Sequence, residues 1–262
     1  RDGKYQLAAL AESGFDPLAR TCQFMLTEEA HHMFVGETGV MRVAQRTCEV
    51  MNELGTDDPE KVRAAGAIDL PTVQKFINFH YAVSLDLFGA EISTNAANYF
   101  TSGLKGRYQE TRIADDHRLS ADTLPVYAFR DGRIALEDQP ALLAVNERLR
   151  SDYVDDCQRG LNRWNRTIEQ HGVDFRLKLP HRAFNRRIGA FATARVSPEG
   201  KVLGEGLWDR YSSDWLPTEA DHAFVASLMK RVAGPGKMAS WLAPPARGID
   251  GKPIGYEYVK FA

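Results

Sequence analysis

Placed at ~100° per residue, the apolar side chains between Asp16 and Gly55 gather on one side: Leu18, Cys22, Met25, Met33, Val40, Val43, Ala44, Val50, Met51 and Leu54 share a direction. Such a stripe predicts an amphipathic helix. Asp16 can cap its free N–H groups, Pro17 brings the fixed φ that suits a first turn, and Gly55 ends it. At ~1.5 Å per residue the helix would run ~57 Å, a length suited to an extended bundle. A second stretch, "TVQKFINFHYAVSLDLFGAEISTNAANYF" after Pro71, is apolar on most of its circumference and predicts a long helix buried on several sides. A third runs from Pro140 to Gln170 and stops at His171-Gly172.

Strand patterns are brief. "VYAFRDGRIAL" alternates around Asp131-Gly132, a dipeptide that favours the type I′ turn of a hairpin, and "ATARVSPEGKVL" predicts a second hairpin around Pro198. A further helix starts near Thr218, with Asp221 three residues on as its capping partner, and ends at "GPG" from Gly234; the tail beyond reads as an irregular wrap. The fold class expected is therefore mainly α, a ferritin-like bundle of long helices, partial, with small β-hairpins and an irregular C-terminal extension. It is expected as a single unit over 1–262, with bundle helices in 1–125 and the extension in 126–262.

The chain has 262 residues, 44% of them hydrophobic, which is enough for a sizeable core. A formal net charge of −2 provides no general pull toward nucleic acid or an anionic membrane. No apolar run approaches the ~18 residues of a membrane span, and the opening stretch lacks the apolar centre of a signal peptide, so a cytoplasmic location is expected. Cys22, Cys48 and Cys157 stand far apart with no C-x-x-C pair, which argues against a disulfide framework or an iron–sulfur cluster. Nor is there a Gly-rich phosphate loop, a G-x-S-x-G elbow or an H-E-x-x-H run. Redox chemistry here would need other ligands.

"LTEEAHHMF" supplies them. Two E-x-x-H pairs overlap in it, and the helical phase separates them: Glu29 points to the middle of the apolar stripe and His32 to its flank, whereas Glu28 and His31 fall on the opposite face with Arg42, Arg46, Glu49 and Glu53. A carboxylate on a buried face must be paired, neutralised or bound to a metal, and an imidazole one turn on is a fitting co-ligand. Gly36 and Gly39 would leave space nearby. This spacing occurs in di-iron carboxylate bundles, where each E-x-x-H faces a counterpart across the core, so the pair would be half of such a site; the alternative is a chance E-x-x-H whose Glu29 meets an arginine.

Other candidates carry a plainer alternative each. His80, Glu91 and Asn98 lie on a polar stripe of the second long helix and could orient metal ligands or simply form a buried hydrogen-bonded network. Asp115, Asp116 and His117 are a compact donor group at a helix start. From Arg176 to Arg195 there are six Arg and Lys and no acid; Lys178, Arg182, Arg186 and Arg187 suit the phosphates of a nucleotide-bearing substrate, with Phe184 to stack on its base. The alternative is a solvated face or internal ion pairs. Lys105, Arg107 and Arg112 form a smaller basic group.

Three blocks, "FDPLARTCQFMLTEEAHHMFVGETGVMRVAQRTCEVM", "DLPTVQKFINFHYAVSLDLFGAEISTNAANYFTSGLKGR" and "WLPTEADHAFVASLMKRVAGPGKMASWLAPPARGI", closely resemble the oxygenase components of the benzoyl-CoA 2,3-epoxidase family, and the likeness covers essentially the whole chain. The resemblance implies a ferritin-like enzyme whose two iron ions activate O2 to epoxidise the ring of benzoyl-CoA, in aerobic aromatic degradation. It implies electrons from NADPH through a separate flavin and iron–sulfur reductase, and it matches Glu29 and His32 to the family's metal-binding, catalytic pair. Family members also have an N-terminal half with a glutamate, another E-x-x-H helix and an aspartate. None of those ligands is expected in this chain, which thus resembles the C-terminal part of such a protein. Two other readings stand beside it: a non-catalytic helical scaffold that binds a partner, and another di-iron oxidase.

Overall fold

Asp16 and Leu54 bound one helix of 39 residues, α2, as the apolar stripe predicts. In the computed structural model, which describes residues 1–104, 122–248 and 250–260, the remaining helices are α1 (Asp2–Leu10), α3 (Pro59–Ala64), α4 (Leu70–Asp86), α5 (Thr94–Thr101), α6 (Val145–Gln170), α7 (Leu207–Trp215) and α8 (Glu219–Leu228). Strands β1 (Thr123–Arg130) and β2 (Arg133–Pro140) form an antiparallel hairpin, and β3 (Lys237–Ala239) pairs in parallel with β4 (Glu257–Val259). The fold is mainly α with small β elements. Its packing resolves into two compact units, residues 1–33, 80–158 and 180–210 in the first, and 34–79, 159–179 and 211–262 in the second.

The first unit is built on aromatic and charged cores. Tyr153 of α6 meets Tyr5, Tyr81 and Phe88 with ring centroids 6.1, 6.2 and 5.3 Å away. The hairpin turns at Asp131 and Gly132, both at positive φ (50° and 73°), which is what a type I′ turn requires. Its Tyr127, Phe129 and Ile134 cover a cluster of Ala183, Phe191, Ala194 and Val196. The hairpin expected around Pro198 reduces to a single bridge between Val196 and Val202.

One long helix from 72 to 100 was expected, and the structure corrects this: α4 stops at Asp86 and α5 begins at Thr94. Gly89 adopts a left-handed φ of 79°, and the carbonyls freed there find side-chain donors. Arg150 donates to Leu85 O at 3.4 Å and Gly89 O at 2.5 Å, Gln6 to Leu87 O, and Asn146 to Ala90 O. A break is stable only when such groups are satisfied.

Arg150 also pairs with Glu147 and stands 3.8 Å from Glu91 Oε1. Arg186 donates to Asp86 at 2.5 Å and lies 3.2 Å from Glu91 Oε1, while Arg182 reaches Glu147 and Ser151, both at 2.9 Å. The Arg150 and Arg186 side chains are each 1% exposed. Three arginines thus balance three carboxylates.

In the second unit, Ala44 and Cys48 of α2 pack with Ile68, Leu70, Val73, Leu161, Ile168, Leu177 and Leu228, flanked by Trp164, Phe224 and Trp241. Arg46 was expected on the solvent face of α2; it is buried instead. Its guanidinium lies 3.9 Å from the Tyr258 ring and donates to Ser240 O, so the stretch expected as an irregular tail covers it. Thr218 and Asp221 form the predicted capping box on α8, which ends at Leu228 and not at Gly234. Asp221 also takes Arg63 at 2.8 Å and Lys75 at 3.2 Å. Burial by itself would raise its pKa, but the hydrogen bonds from Thr218, Arg63 and Lys75 outweigh it and hold the carboxyl well below the usual carboxylate range.

Two stability predictions follow from these networks. Because the folded pKa of Asp221 lies below its unfolded value of ~3.9, its carboxylate stabilises the fold above that pH and ceases to as the pH falls through the folded value. Asp221→Asn should therefore cost about 3 kcal/mol at neutral pH, and its gap from wild type in urea titrations should narrow below about pH 4; a gap independent of pH would contradict this. Arg150→Met leaves Glu147 and Glu91 with one cation fewer and should cost about 3–5 kcal/mol, whereas Arg187→Met, at an exposed position, should change the thermal midpoint little.

Candidate functional site

Glu29 and His32 sit one turn apart on α2, within the first unit, and the Glu29 Oε2 atom is 3.3 Å from His32 Nδ1. The Glu29 side chain is 18% exposed and the His32 ring 66%. Glu28 and His31 are exposed, as the helical phase predicts. His32 was expected on the flank of the buried face, yet it faces outward. The reason is that the stripe was averaged over the whole helix. In its first half the buried or half-buried side runs through Ala19, Cys22, Leu26 and Met33, with Glu29 at its edge. Leu18 and Met25, at seven-residue intervals before His32, are exposed, as is Phe24 at 72%. This half of α2 therefore shows a second apolar face beside Glu29 and His32.

Sequence reasoning missed what lies against Glu29. Gly3, in the first turn of α1, approaches so closely that a Cβ built on it would be 2.7 Å from Glu29 Oε1. A signal was present, an apolar run "YQLAAL" of helical length just after a glycine.

The other candidates do not converge on Glu29. Glu91 is buried in the arginine network, its Oε2 accepting from Ala190 N at 2.7 Å and its Oε1 making no hydrogen bond. His80 and Asn98 are exposed, on α4 and α5. Of the four residues expected to bind phosphate, Arg182 and Arg186 are taken up by Glu147, Asp86 and Glu91. Arg187 is exposed in the first unit, while Lys178 is exposed in the second. Phe184 is fully buried against Trp208 and offers no face to a base. Asp115, Asp116, His117, Lys105, Arg107 and Arg112 lie outside the described residues.

A further E-x-x-H run, Glu219 to His222 on α8, was left out of the expectation of half a site. Its His222 ring packs edge-on to Phe76 at 5.0 Å, and it belongs to the second unit. Among the described residues no group of three or more His, Cys, Asp or Glu is placed to hold a metal ion, and no helix is long and apolar enough to cross a membrane. Glu29 and His32 do match a metal in donor type: a carboxylate oxygen and an imidazole nitrogen, adjacent and accessible, suit iron or another borderline divalent ion. By themselves they would supply two ligands of the larger set that a di-iron centre needs.

No protein-family model matches the chain. Over 261 residues, 100% of its own length, it is 59% identical to "Benzoyl-CoA oxygenase component B" of Aromatoleum evansii. The chain spans 55% of that relative's length. It is thus similar, from end to end, to about half of one component of a benzoyl-CoA oxygenase.

Proposed function

We propose that this chain is part of the oxygenase component of a benzoyl-CoA oxygenase, and that Glu29 and His32 are two ligands of its di-iron centre. The substrate class rests on the 59% identity over the whole chain. In geometry the reading rests on one observation, the approach of the Glu29 carboxylate to His32 Nδ1 at 3.3 Å on a helix face that carries exposed apolar side chains.

Iron held there would supply the reduction of O2: one oxygen atom adds across the 2,3-bond of the CoA-bound ring, and the other leaves as water with two electrons and two protons. The residues of this chain do the holding and the covering. Glu29 provides charge to offset the cations, and His32 a neutral nitrogen donor. The remaining ligands come from outside the described residues, from the part of the protein that corresponds to the rest of the relative's length. Leu18, Phe24 and Met25 give that part an apolar surface to pack on, which would bury His32 and exclude water from the metal. The electrons come from NADPH through a separate flavin and iron–sulfur reductase.

The test compares neighbouring residues on α2 in the full-length protein. Glu29→Ala and His32→Ala should lower iron per chain and cut reductase-driven, benzoyl-CoA-dependent O2 consumption by about 100-fold or more, since even outer partners of a metal site cost about 10–100-fold. Glu28→Ala and His31→Ala should leave both unchanged. Iron content untouched by Glu29→Ala would sink the assignment.

A further inference from the structure

Glycine is a poor helix residue, about 1 kcal/mol worse than alanine inside a helix, yet Gly3 stands within α1. Its backbone does not call for it, because Gly3 is not among the glycines at positive φ. The surroundings do. A Cβ at Gly3 would meet all three atoms of the Glu29 carboxylate, Oε1 at 2.7 Å, the carboxyl carbon at 3.0 Å and Oε2 at 3.3 Å. The helix cannot readily back away: Tyr5 and Ala9 are buried, Tyr5 packs on Tyr153, and Gln6 is bonded to Leu87 O at 3.0 Å. The carboxylate therefore lies between the bare Cα of Gly3 and the His32 ring.

We propose that Gly3 is a positioning residue for the metal site: the space left by its missing side chain is where the Glu29 carboxylate lies, and any side chain there displaces the ligand. The inference rests on the reading of Glu29 as an iron ligand. Since a carboxylate is the free end of a flexible side chain, the fold yields to a methyl group at little cost. What changes is the place from which the ligand reaches the metal.

The experiment uses the full-length protein with Gly3→Ala, Glu29→Asp and the two combined, with Glu29→Ala as reference. Iron per chain, Fe(II) affinity by chelator competition and the thermal midpoint are measured for each. Gly3→Ala should weaken Fe(II) binding about 10-fold or more while the midpoint holds or rises. In the Glu29→Asp background, where the carboxylate is one methylene shorter, Gly3→Ala should cost nothing further, the non-additivity expected of two groups in contact. Equal losses in both backgrounds would mean a general disturbance of α1 and would overturn the proposal. So would wild-type affinity in Gly3→Ala when Glu29→Ala has lost its iron. Iron retained by Glu29→Ala would overturn the metal reading itself.

Discussion

A charged side chain can leave water only with its counter-charge, and in the first unit that requirement joins segments far apart in the chain. Arg150 and Arg186 are almost wholly buried, and with Arg182 they answer Asp86, Glu91 and Glu147. These six residues come from the end of α4, the segment after it, the start of α6 and the loop from 182 to 186. Arg186 and the backbone N–H of Arg187 are both held by Asp86, and Glu91 accepts from Ala190. The middle of the basic stretch, from Arg182 to Ala190, is thereby fastened inward, while the Lys178 and Arg187 side chains stay exposed. Its lack of acids, which suggested an anionic ligand, reflects partners contributed by other segments.

The candidate metal ligands stand apart from that network, on a part of α2 where the packing is one-sided. Ala19 and Cys22 are buried while Leu18, Phe24 and Met25 are exposed, so the helix carries two apolar faces, of which one is packed among the described residues. Glu29 lies at the border between the two faces. It is sheltered by α1 through Gly3 and open toward His32, a position from which a carboxylate can be held by one part of a protein and used by another.

Local patterns gave away the elements whose causes are local. The stripe and end signals of α2, the Asp131-Gly132 turn, and the Thr218 with Asp221 cap could all be seen in the sequence, because each depends on residues within a few positions. So could the separation of Glu29 from Glu28. The outward turn of His32 could not, since one phase was assigned to a helix whose two halves pack differently. Arg46 looked like a surface residue until Tyr258, more than 200 positions on, was found lying over it. Arg182 and Arg186 resembled phosphate ligands for the same reason: burial by distant partners leaves no mark on the neighbouring sequence. Gly3 is the subtlest case, as a contact between a missing side chain and a carboxylate 26 positions on has no periodicity at all.

The break between α4 and α5 has a bearing on how the molecule folds. From Leu70 to Thr101 the sequence favours helix with little to interrupt it but Gly89, and the donors that hold the broken ends arrive from 56 to 81 positions away. Closing loops of that size comes late and slowly relative to helix growth, which takes nanoseconds per residue. Until α1 and α6 dock, the carbonyls at the break lack the side-chain donors they have in the native structure, so the break depends on long-range packing and not on the local sequence alone.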